Sequence, residues 1–503
     1  MTTDPRPKHG GSRAHLGPSI LAVGIALRIV FCAGNDVRHV HDDHWHVIRI
    51  IVEERRLPGP TEGWECYQPP LYYLLGAGVY SAARPVARTA GLADEEADAA
   101  GRKAIQFISA VAGCLTLLVV WLCLKDLLPG QPGLQAVGLA TAAFLPRHVY
   151  MSGMATNDAL AYLWMTAAVW ALLKWRAADW SARWALLAGL ACGVALLTKP
   201  YGLATLAVVL LATAAAVFAR SEPAQSGPTA GGRFLRGALM VTLAVGVGFW
   251  PYWRNWRACG SPFVSNYDIL DHTIWFQPPG RFEDVSLTSF RLPALLDRPW
   301  LHVSTLDSFW TALYAEAWFD HGTMLTIFHY RPFVRHIART WRDDSKTPAE
   351  RYHARMDWDT DDVPASELAE ARALLILGLL PTGLLVVGLL ASLGGAGGGY
   401  VSSVLLANLL ANLAIPLYQT FRQPHYSSMK ATFCLGMLVS GAAFCAWGAR
   451  WLGWSRRRWP PRVIAAALAT LAMVLAVHLV HVAFFPPDYF LPPQMCRDHE
   501  PPR

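Results

Sequence analysis

Long apolar runs alternate with short polar connections along most of this 503-residue chain. A helix that crosses a bilayer needs about 20 mostly apolar residues. Eleven runs approach this length, and they predict an all-α polytopic membrane protein with about 11 transmembrane helices. These runs cover 17–34, 104–124, 134–155, 159–174, 184–199, 200–219, 237–252, 371–392, 400–418, 431–451 and 463–484.

A twelfth run at 71–87 is shorter, and Arg84 interrupts it. With the N-terminal tail (1–16) in the cytoplasm, a non-crossing 71–87 keeps the basic short loops on the cytoplasmic side. The positive-inside rule favours that arrangement. We therefore predict a juxtamembrane or re-entrant helix at 71–87 against the outer face, and a twelfth span is the alternative.

This topology divides the chain into three large parts and a tail. A transmembrane module at 17–252 includes a first outer loop at 35–103, and a second large outer loop follows at 253–370. The C-terminal transmembrane helices occupy 371–484. The segment 485–503 is rich in Pro and is predicted to be an extended tail on the outer side.

Composition excludes several other classes of protein. Hydrophobic residues make up 53% of the chain and charged residues only 16%, whereas soluble domains carry about 25% charged residues. The net charge of +7 is explained by the basic loops, so we expect membrane lipids and no nucleic acid as partners. Neither a P-loop nor a Gly-rich dinucleotide motif is present, which argues against a nucleotide-driven pump.

The densest polar cluster, NDVRHVHDDHWH at 35–46, directly follows the first apolar run. Charged residues at a membrane boundary are functional candidates unless they are solvated or paired. Asp42 and Asp43 are adjacent, so their side chains point in different directions. One carboxylate is expected to face a cavity while the other braces or caps the helix predicted to follow. The alternative is a capping residue beside a solvated neighbour.

Four histidines interleave with the Asp42–Asp43 pair. A divalent-metal site that combines Asp43, His44 and His46 is one interpretation of this spacing. Alternating histidines in a short loop more often form a solvated interfacial surface. No cofactor is therefore predicted, and the metal site is kept only as an alternative.

Two further segments carry polar candidates. In WECYQPPLYYLL (64–75), Glu65 and Gln68 could line a pocket, although two prolines before an aromatic run also describe a simple loop-to-helix corner. In MATNDALAYL (154–163), Asn157 and Asp158 open an apolar helix, and helix capping is the alternative role. The predicted topology puts Asp158 on the same face as Asp42, as acid–base chemistry with two carboxylates would require.

Basic residues occur at several predicted outer boundaries. Arg254 ends one span, and Lys430, Lys199 and the pair Arg102–Lys103 occupy similar positions. Such a cation either contacts lipid headgroups or holds a phosphate through charge-assisted hydrogen bonds. The sequence leaves both roles open for these residues.

In this order, these segments resemble the GT-C membrane glycosyltransferases. The resemblance is to the protein O-mannosyltransferase-like group, which includes dolichyl-phosphate-mannose protein mannosyltransferases and the lipid A aminoarabinose transferase. It covers about the first 260 residues and one late outer turn. The matching stretches are the pair Asp42–Asp43, QPPLYYLL (68–75), SAVAGCLTLLVVWL (109–122), TNDALAYL (156–163), GVALLTKPYGL (193–203), YWRNW (252–256) and HYSSMKATF (425–433).

The resemblance implies roles for the acidic residues. Asp42 would act on the acceptor, Asp43 would be a supporting acid, and Asp158 would be the second outer acid. Many members of the group have an Arg three residues before the Ser of the S-A-x-x-G stretch, and this chain has Gln106 there. An uncharged Gln holds a phosphate less strongly, so Lys103, Arg254 or Lys430 is expected to replace that Arg.

The resemblance therefore implies sugar transfer from a polyprenyl-phosphate donor in the bilayer to an unknown hydroxyl-bearing acceptor. Transfer would invert the anomeric carbon on the outer face of the plasma (inner) membrane, with Asp42 as general base. Glu65, Gln68 and Asn157 are further candidates for substrate binding. A transporter or flippase of a lipid-linked sugar is the main alternative, and a scaffold that binds a partner through 263–370 is a third.

Overall fold

The computed structural model describes most of the helical part of the chain. The described residues are 15–37, 42–218, 228–265, 268, 285–300, 302–305, 307–319, 345, 350, 363, 365–394, 399–422, 429–453 and 459–484. Apart from one isolated β-bridge between Ser286 and Ser308, their regular structure is helical.

Seventeen α-helices and one longer 3-10 helix organise this described part of the chain. They are α1 (Leu16–Gly34), α2 (His44–Glu54), α3 (Leu71–Thr89), α4 (Asp94–Leu127), α5 (Pro132–Ala143), α6 (Pro146–Ser152), α7 (Asn157–Ala177), α8 (Ala182–Thr198), α9 (Gly202–Phe218), α10 (Ala230–Gly248), α11 (Trp250–Cys259), α12 (Leu292–Asp297), α13 (Phe309–Trp318), α14 (Ala365–Leu393), α15 (Gly399–Arg422), the 3-10 helix (Ala431–Met437), α16 (Leu438–Trp451) and α17 (Trp459–Phe484).

Seven helical segments in the described residues are long and apolar enough to cross a membrane. They are α1, α4, α10, α14, α15, the 3-10 helix joined to α16, and most of α17. Two shorter helices, α8 and α9, are also apolar. The prediction of an all-α polytopic membrane protein is thereby confirmed, while the number of eleven crossings stays a prediction.

The predicted run 134–155 is not one continuous helix. It divides into α5 and α6, because Pro146 occupies the first position of α6 and cannot continue the hydrogen bonding of α5. All seven residues of α6 are buried. This break places a short, fully enclosed helix directly before the segment that carries Asp158.

Small residues let two membrane helices approach closely. A Cβ atom at Gly388 of α14 would collide with the carbonyl oxygen of Phe444 in α16, and one at Gly448 would collide with that of Leu384. Close backbone approach at small residues is a common way for membrane helices to associate. The pair α14–α16 is therefore a tightly packed part of the bundle.

The connections predicted to share one side of the membrane also meet in space. At one end, Lys174 pairs with Asp126 at 3.2 Å, and Arg236 donates a hydrogen bond to the carbonyl of Trp180 at 2.7 Å. At the other end, the side chain of Asn35 donates to the carbonyl of Gly153 at 2.9 Å. The two groups of connections therefore lie at opposite ends of the bundle.

Helix α3 packs against the first half of α4. Gly76 faces Ile105, and Tyr80 packs on Gly101. Within α4, Lys103 donates hydrogen bonds to the carbonyls of Cys32 and Asn35 at the end of α1. The first turns of α4 therefore extend past the end of α1 with α3 beside them, and the non-crossing 71–87 stays a prediction.

Part of the second large outer loop is docked on the bundle. Helix α13 packs against α6 and the 3-10 helix, and a buried ion pair between Arg147 and Glu316 joins α6 to α13. Phe309 also packs on Met429, just before the 3-10 helix. The described part of 253–370 is thus integrated with the transmembrane helices, while the wider domain boundaries stay predictions.

Candidate active site

Asp158 is fully buried in the first turn of α7. Its carboxylate lies 2.7 Å from Nζ of Lys199 and accepts hydrogen bonds from the hydroxyls of Thr156 (2.6 Å) and Tyr162 (3.0 Å). Thr156, and not Asn157 or Asp158, is the residue that caps α7. The Asp158 side chain is therefore available to Lys199, which the capping interpretation did not anticipate.

Asp42 lies just before α2 and belongs to the same electrostatic cluster. Burial raises the pKa of Asp42, and the negative charge of Asp158 raises it further. The charges of Lys430 and Lys199, and a hydrogen bond from Trp64, act in the opposite direction and lower this pKa. We call Asp42, Asp158, Lys199 and Lys430 the acid–lysine cluster, and its two carboxylates come from separate segments, as predicted.

The adjacent Asp43 has a different position. Its exposed side chain caps α2 by accepting a hydrogen bond from the backbone N–H of His46 at 3.1 Å. One residue of the pair thus faces the cluster while the other caps the helix, as the adjacency of the two residues predicted. The hydrogen bond that the structure describes for Asp43 is this helix cap, and its catalytic role stays a prediction.

His44 is buried beside the cluster and not exposed to solvent. Nδ1 lies 3.0 Å from the hydroxyl of Tyr73, and Nε2 lies 3.3 Å from that of Thr156. Burial, together with the positive charge of Lys199, lowers the pKa of His44 to about 3. The imidazole is therefore neutral at physiological pH and links α2, α3 and the start of α7.

The alternative metal site gains no support from these positions. Both ring nitrogens of His44 contact hydroxyl groups, and the Asp43 carboxylate is at the helix cap. In the part of the chain that the structure describes, no group of three or more His, Cys, Asp or Glu side chains is arranged to hold a metal ion. His39 and His41 lie outside the described residues.

The predicted substrate-binding residues Glu65 and Gln68 lie in one loop, and Arg254 of α11 contacts that loop. Glu65 and Gln68 are both buried, and Glu65 adopts a positive φ of 63°. Arg254 Nη2 donates hydrogen bonds to the carbonyls of Cys66 (3.0 Å) and Gln68 (3.3 Å). The neighbouring Asn255 donates to the carbonyl of Tyr67 at 2.9 Å. Arg254 therefore stabilises the conformation of this loop.

Two α4 residues hold the segment that leads from α1 to Asp42. Lys103 donates to the carbonyl of Cys32 at 2.9 Å and also to that of Asn35. Gln106 donates to the carbonyl of Asp36 at 3.0 Å, and its buried side-chain oxygen has no hydrogen-bond partner in the described residues. Lys103 therefore braces the end of α1, a role that differs from the headgroup contact and the phosphate contact considered from the sequence.

The remaining predicted residues, Asn157 and Lys430, also lie at this end of the bundle. Asn157 is buried, with Nδ2 at 3.5 Å from the hydroxyl of Tyr73 and from the carbonyl of Thr198. Lys430 is half-buried immediately before the 3-10 helix. All nine predicted site residues therefore lie around the connections at one end of the molecule.

The sequence interpretation underestimated Lys199. It was treated only as one more basic residue at a boundary, but the structure buries it in an ion pair with Asp158. A lysine that interrupts an otherwise apolar run, as in LLTKPYG, was the available signal. The roles of His44 and Tyr162 had no comparable signal, because they depend on contacts made after folding.

Comparison with known proteins gives one family match. The model of the dolichyl-phosphate-mannose-protein mannosyltransferase family matches residues 99–249, a stretch that contains Asp158 and Lys199. This match confirms the resemblance to the GT-C, protein O-mannosyltransferase-like group. No curated protein sequence matches the chain.

Solved structures of three other proteins are similar to this chain. The Archaeoglobus fulgidus oligosaccharyltransferase AglB, in complex with an inhibitory peptide and a dolichol-phosphate, is 13% identical over 94% of this chain and 56% of its own, with a TM-score of 0.49. ArnT from Cupriavidus metallidurans, bound to undecaprenyl phosphate, is 18% identical over 87% and 77%, with a TM-score of 0.35. The S. cerevisiae Pmt1-Pmt2 complex, bound to the sugar donor, is 18% identical over 57% and 39%, with a TM-score of 0.34. The chain spans about half the length of the archaeal enzyme.

Proposed function

We propose that this protein is a membrane glycosyltransferase that moves a sugar from a polyprenyl-phosphate donor to a hydroxyl acceptor. The observation that carries the proposal is the acid–lysine cluster, in which Asp42 and Asp158 share one electrostatic environment with Lys199 and Lys430. The family match over residues 99–249 supports the same class of reaction. The polyprenyl tail of the donor would remain in the bilayer.

In the proposed mechanism, Asp42 is the general base. It accepts the proton of the acceptor hydroxyl while the hydroxyl oxygen forms a bond to the anomeric carbon of the sugar. The bond between that carbon and the phosphate oxygen breaks, and the polyprenyl phosphate leaves with the bonding electrons. Attack opposite the leaving group inverts the anomeric configuration. General-base assistance of this kind contributes about 10²–10⁴ in rate.

A carboxylate that is partly shielded from water suits this task. Burial and the charge of Asp158 raise the pKa of Asp42, so Asp42 is a stronger base than an ordinary solvated aspartate. Lys430 and Lys199 lower the same pKa and thereby help keep the carboxylate ionised before the acceptor binds. A carboxylate whose pKa is raised is better suited to general-base catalysis than an ordinary aspartate.

The other residues would serve the departing phosphate and the pocket. Negative charge grows on the phosphate as its bond to the sugar breaks, so a nearby cation would stabilise it. Lys430 is the leading candidate, because among the neighbouring charges it has the largest effect on the pKa of Asp42. Arg254 is the second candidate and also braces the loop at 66–68. Lys103 is third. Asp158 would hold Lys199 in place, and Asp43 would support α2.

The proposal is tested by incubating the purified full-length protein in proteoliposomes with a panel of radiolabelled polyprenyl-phosphate sugars and candidate acceptors. Transfer of label to a hydroxyl acceptor, with inverted anomeric configuration, is the expected result. A flippase would instead move labelled donor between leaflets without breaking the bond between sugar and phosphate. That outcome would replace the proposed function with the alternative.

A further inference from the structure

A polar cavity lies between α2, α3 and the first turns of α4. Its volume is about 180 Å³, which is enough for a phosphate-sized group but smaller than the roughly 300–1,000 Å³ of drug-sized clefts. Trp45, Arg49 and Val52 line it from α2. Their spacing puts them on one face of that helix, which is not the face that carries His44.

One wall of this cavity is internally braced. Asp98 accepts a hydrogen bond from the hydroxyl of Tyr80, and it lies 2.8 Å from Nε of Arg102. The Arg102 guanidinium also lies over the indole of Trp45, at 4.4 Å from the ring centroid. The rings of Trp45 and Tyr80 are 4.8 Å apart. The charge of Asp98 is thus committed to holding Arg102 and Tyr80 in place.

The remaining charge of the cavity is mostly positive. Arg49 and Arg84 also line it, and within the described residues neither of them forms an ion pair. The Nε–H of Arg84 is buried without an acceptor in that same part of the chain. Glu53, the other carboxylate of the lining, is exposed. The cavity is therefore lined by three guanidinium groups and two carboxylates. One carboxylate, that of Asp98, is already paired with Arg102, and the other, that of Glu53, is exposed.

We propose that this cavity binds a phosphate-bearing group. A guanidinium group donates two parallel hydrogen bonds that match the oxygens of a phosphate, and it remains charged at every physiological pH. The paired rings of Trp45 and Tyr80 provide an apolar wall of the kind found where lipid headgroups meet protein. Arg49 and Arg84 would contact the anion directly, and Arg102 would complete the site.

Two sources of such a group have the same chemistry. One is the headgroup of a phospholipid, which fits the exposed apolar side chains of Leu74, Leu75 and Val86 on α3 and of Phe107 on α4. The other is the phosphate of a soluble ester. The proposal does not depend on sugar transfer, because the site is separate from the acid–lysine cluster and is tested by binding alone.

The test compares the full-length wild-type protein with the double variant Arg49→Gln/Arg84→Gln. The matched control is Arg88→Gln, because Arg88 is exposed on the same helix as Arg84, and its one ion pair among the described residues is with Asp94 on the surface, at 2.8 Å. In detergent, sn-glycerol 3-phosphate and inorganic phosphate are titrated by calorimetry. In nanodiscs of phosphatidylglycerol mixed with a phosphate-free galactolipid, retained phospholipid is counted by native mass spectrometry.

The double variant should bind the phosphate probe about tenfold or more weakly than wild type, since tenfold corresponds to about 1.4 kcal/mol, and Arg88→Gln should match wild type. Loss of retained phosphatidylglycerol identifies the headgroup as the source, and loss of glycerol phosphate binding alone identifies a soluble ester. If wild type binds neither probe, or if the double variant and Arg88→Gln both equal wild type, the proposal is wrong. Should the double variant fail to fold, Arg84→Lys, which keeps the charge but loses the paired donors, gives the same comparison.

Discussion

The protein buries charged side chains in two regions, and these side chains differ in their partners and in their access to solvent. The acid–lysine cluster joins two carboxylates and two lysines from separate connections at one end of the bundle. Deeper in the bundle, Arg28 and Arg147 are fully buried as well. Arg28 donates to the carbonyls of Gly24 (2.8 Å) and Ala143 (3.1 Å).

The interior arginines direct several of their donors to protein groups. Arg28 Nη2 lies 2.6 Å from Nδ1 of His148, and Arg147 Nε donates to the main-chain carbonyl of Glu316 at 2.9 Å, beside its ion pair with the Glu316 carboxylate. Asp42, in contrast, is half-buried and lies among the charges of Lys430, Lys199 and Asp158. Burial of a charge therefore does not by itself identify a reactive site. What distinguishes Asp42 is partial access combined with neighbouring charges of both signs.

The largest expected effect comes from Asp42. We expect Asp42→Asn to lower the transfer rate by about 10²–10⁴, the range for loss of a general base, without lowering the melting temperature. Asp43→Asn is the matched control, because Asn caps a helix about as well as Asp. Rates measured per folded molecule in proteoliposomes decide the result. Near wild-type turnover in Asp42→Asn would exclude it as the base, and a matching loss in Asp43→Asn would move that role to Asp43.

Breaking the interior ion pair between Arg147 and Glu316 should lower stability and leave turnover unchanged, the opposite of the result expected for Asp42→Asn. We expect Glu316→Gln to destabilise the protein by about 3–5 kcal/mol, because it leaves the buried Arg147 without its charged partner. Turnover per folded molecule should stay close to wild type. The comparison is Asp307→Asn, which breaks the more exposed Arg291–Asp307 pair of the same loop and should cost about 0–1 kcal/mol. Thermal unfolding in detergent measures both, and equal stability of the two variants would contradict this assignment.

Variants of the two leading phosphate candidates, Lys430 and Arg254, distinguish phosphate binding from stabilisation of the loop at 66–68. Charge-assisted hydrogen bonds contribute about 1.5–3 kcal/mol each, so Lys430→Ala should lower donor-dependent turnover by about 10-fold to 100-fold with little change in stability. Arg254→Ala should lower turnover and also stability, because it releases the carbonyls of Cys66 and Gln68. Initial rates against donor concentration, with melting curves, test both. Wild-type kinetics in both variants would mean that neither residue holds the phosphate.

The smallest expected effect is in a test of membrane topology, because the cysteine substitutions should change only the labelling and not the activity or stability. We expect Thr288→Cys to react with an impermeant thiol reagent from outside, because Thr288 is an exposed residue of the second outer loop. Ser455→Cys, in a predicted cytoplasmic loop, should react only after the membrane is permeabilised. The unsubstituted chain supplies the background from its own cysteines. Labelling of Ser455→Cys from outside would mean that 71–87 crosses after all.

Several features were accessible from the amino-acid sequence because they depend on local pattern. Apolar run length predicted the helical membrane class, whereas the sides that charge bias assigns to the loops stay a prediction. The adjacency of Asp42 and Asp43 predicted that one would cap a helix while the other faced a cavity. Each of these conclusions follows from the period of the helix or from the cost of placing polar groups in lipid.

Other features were decided only by tertiary structure, because they join residues that are distant along the chain. Lys199 finds Asp158 across the contact between α7 and α8, and His44 becomes neutral because folding buries it beside Lys199. Arg147 and Glu316 pair across 169 positions. The sequence determined which charged side chains lie near the bundle ends. The packing of the helices determined which of them meet, since a charge in a dry interior is stable only beside the partner that folding brings to it.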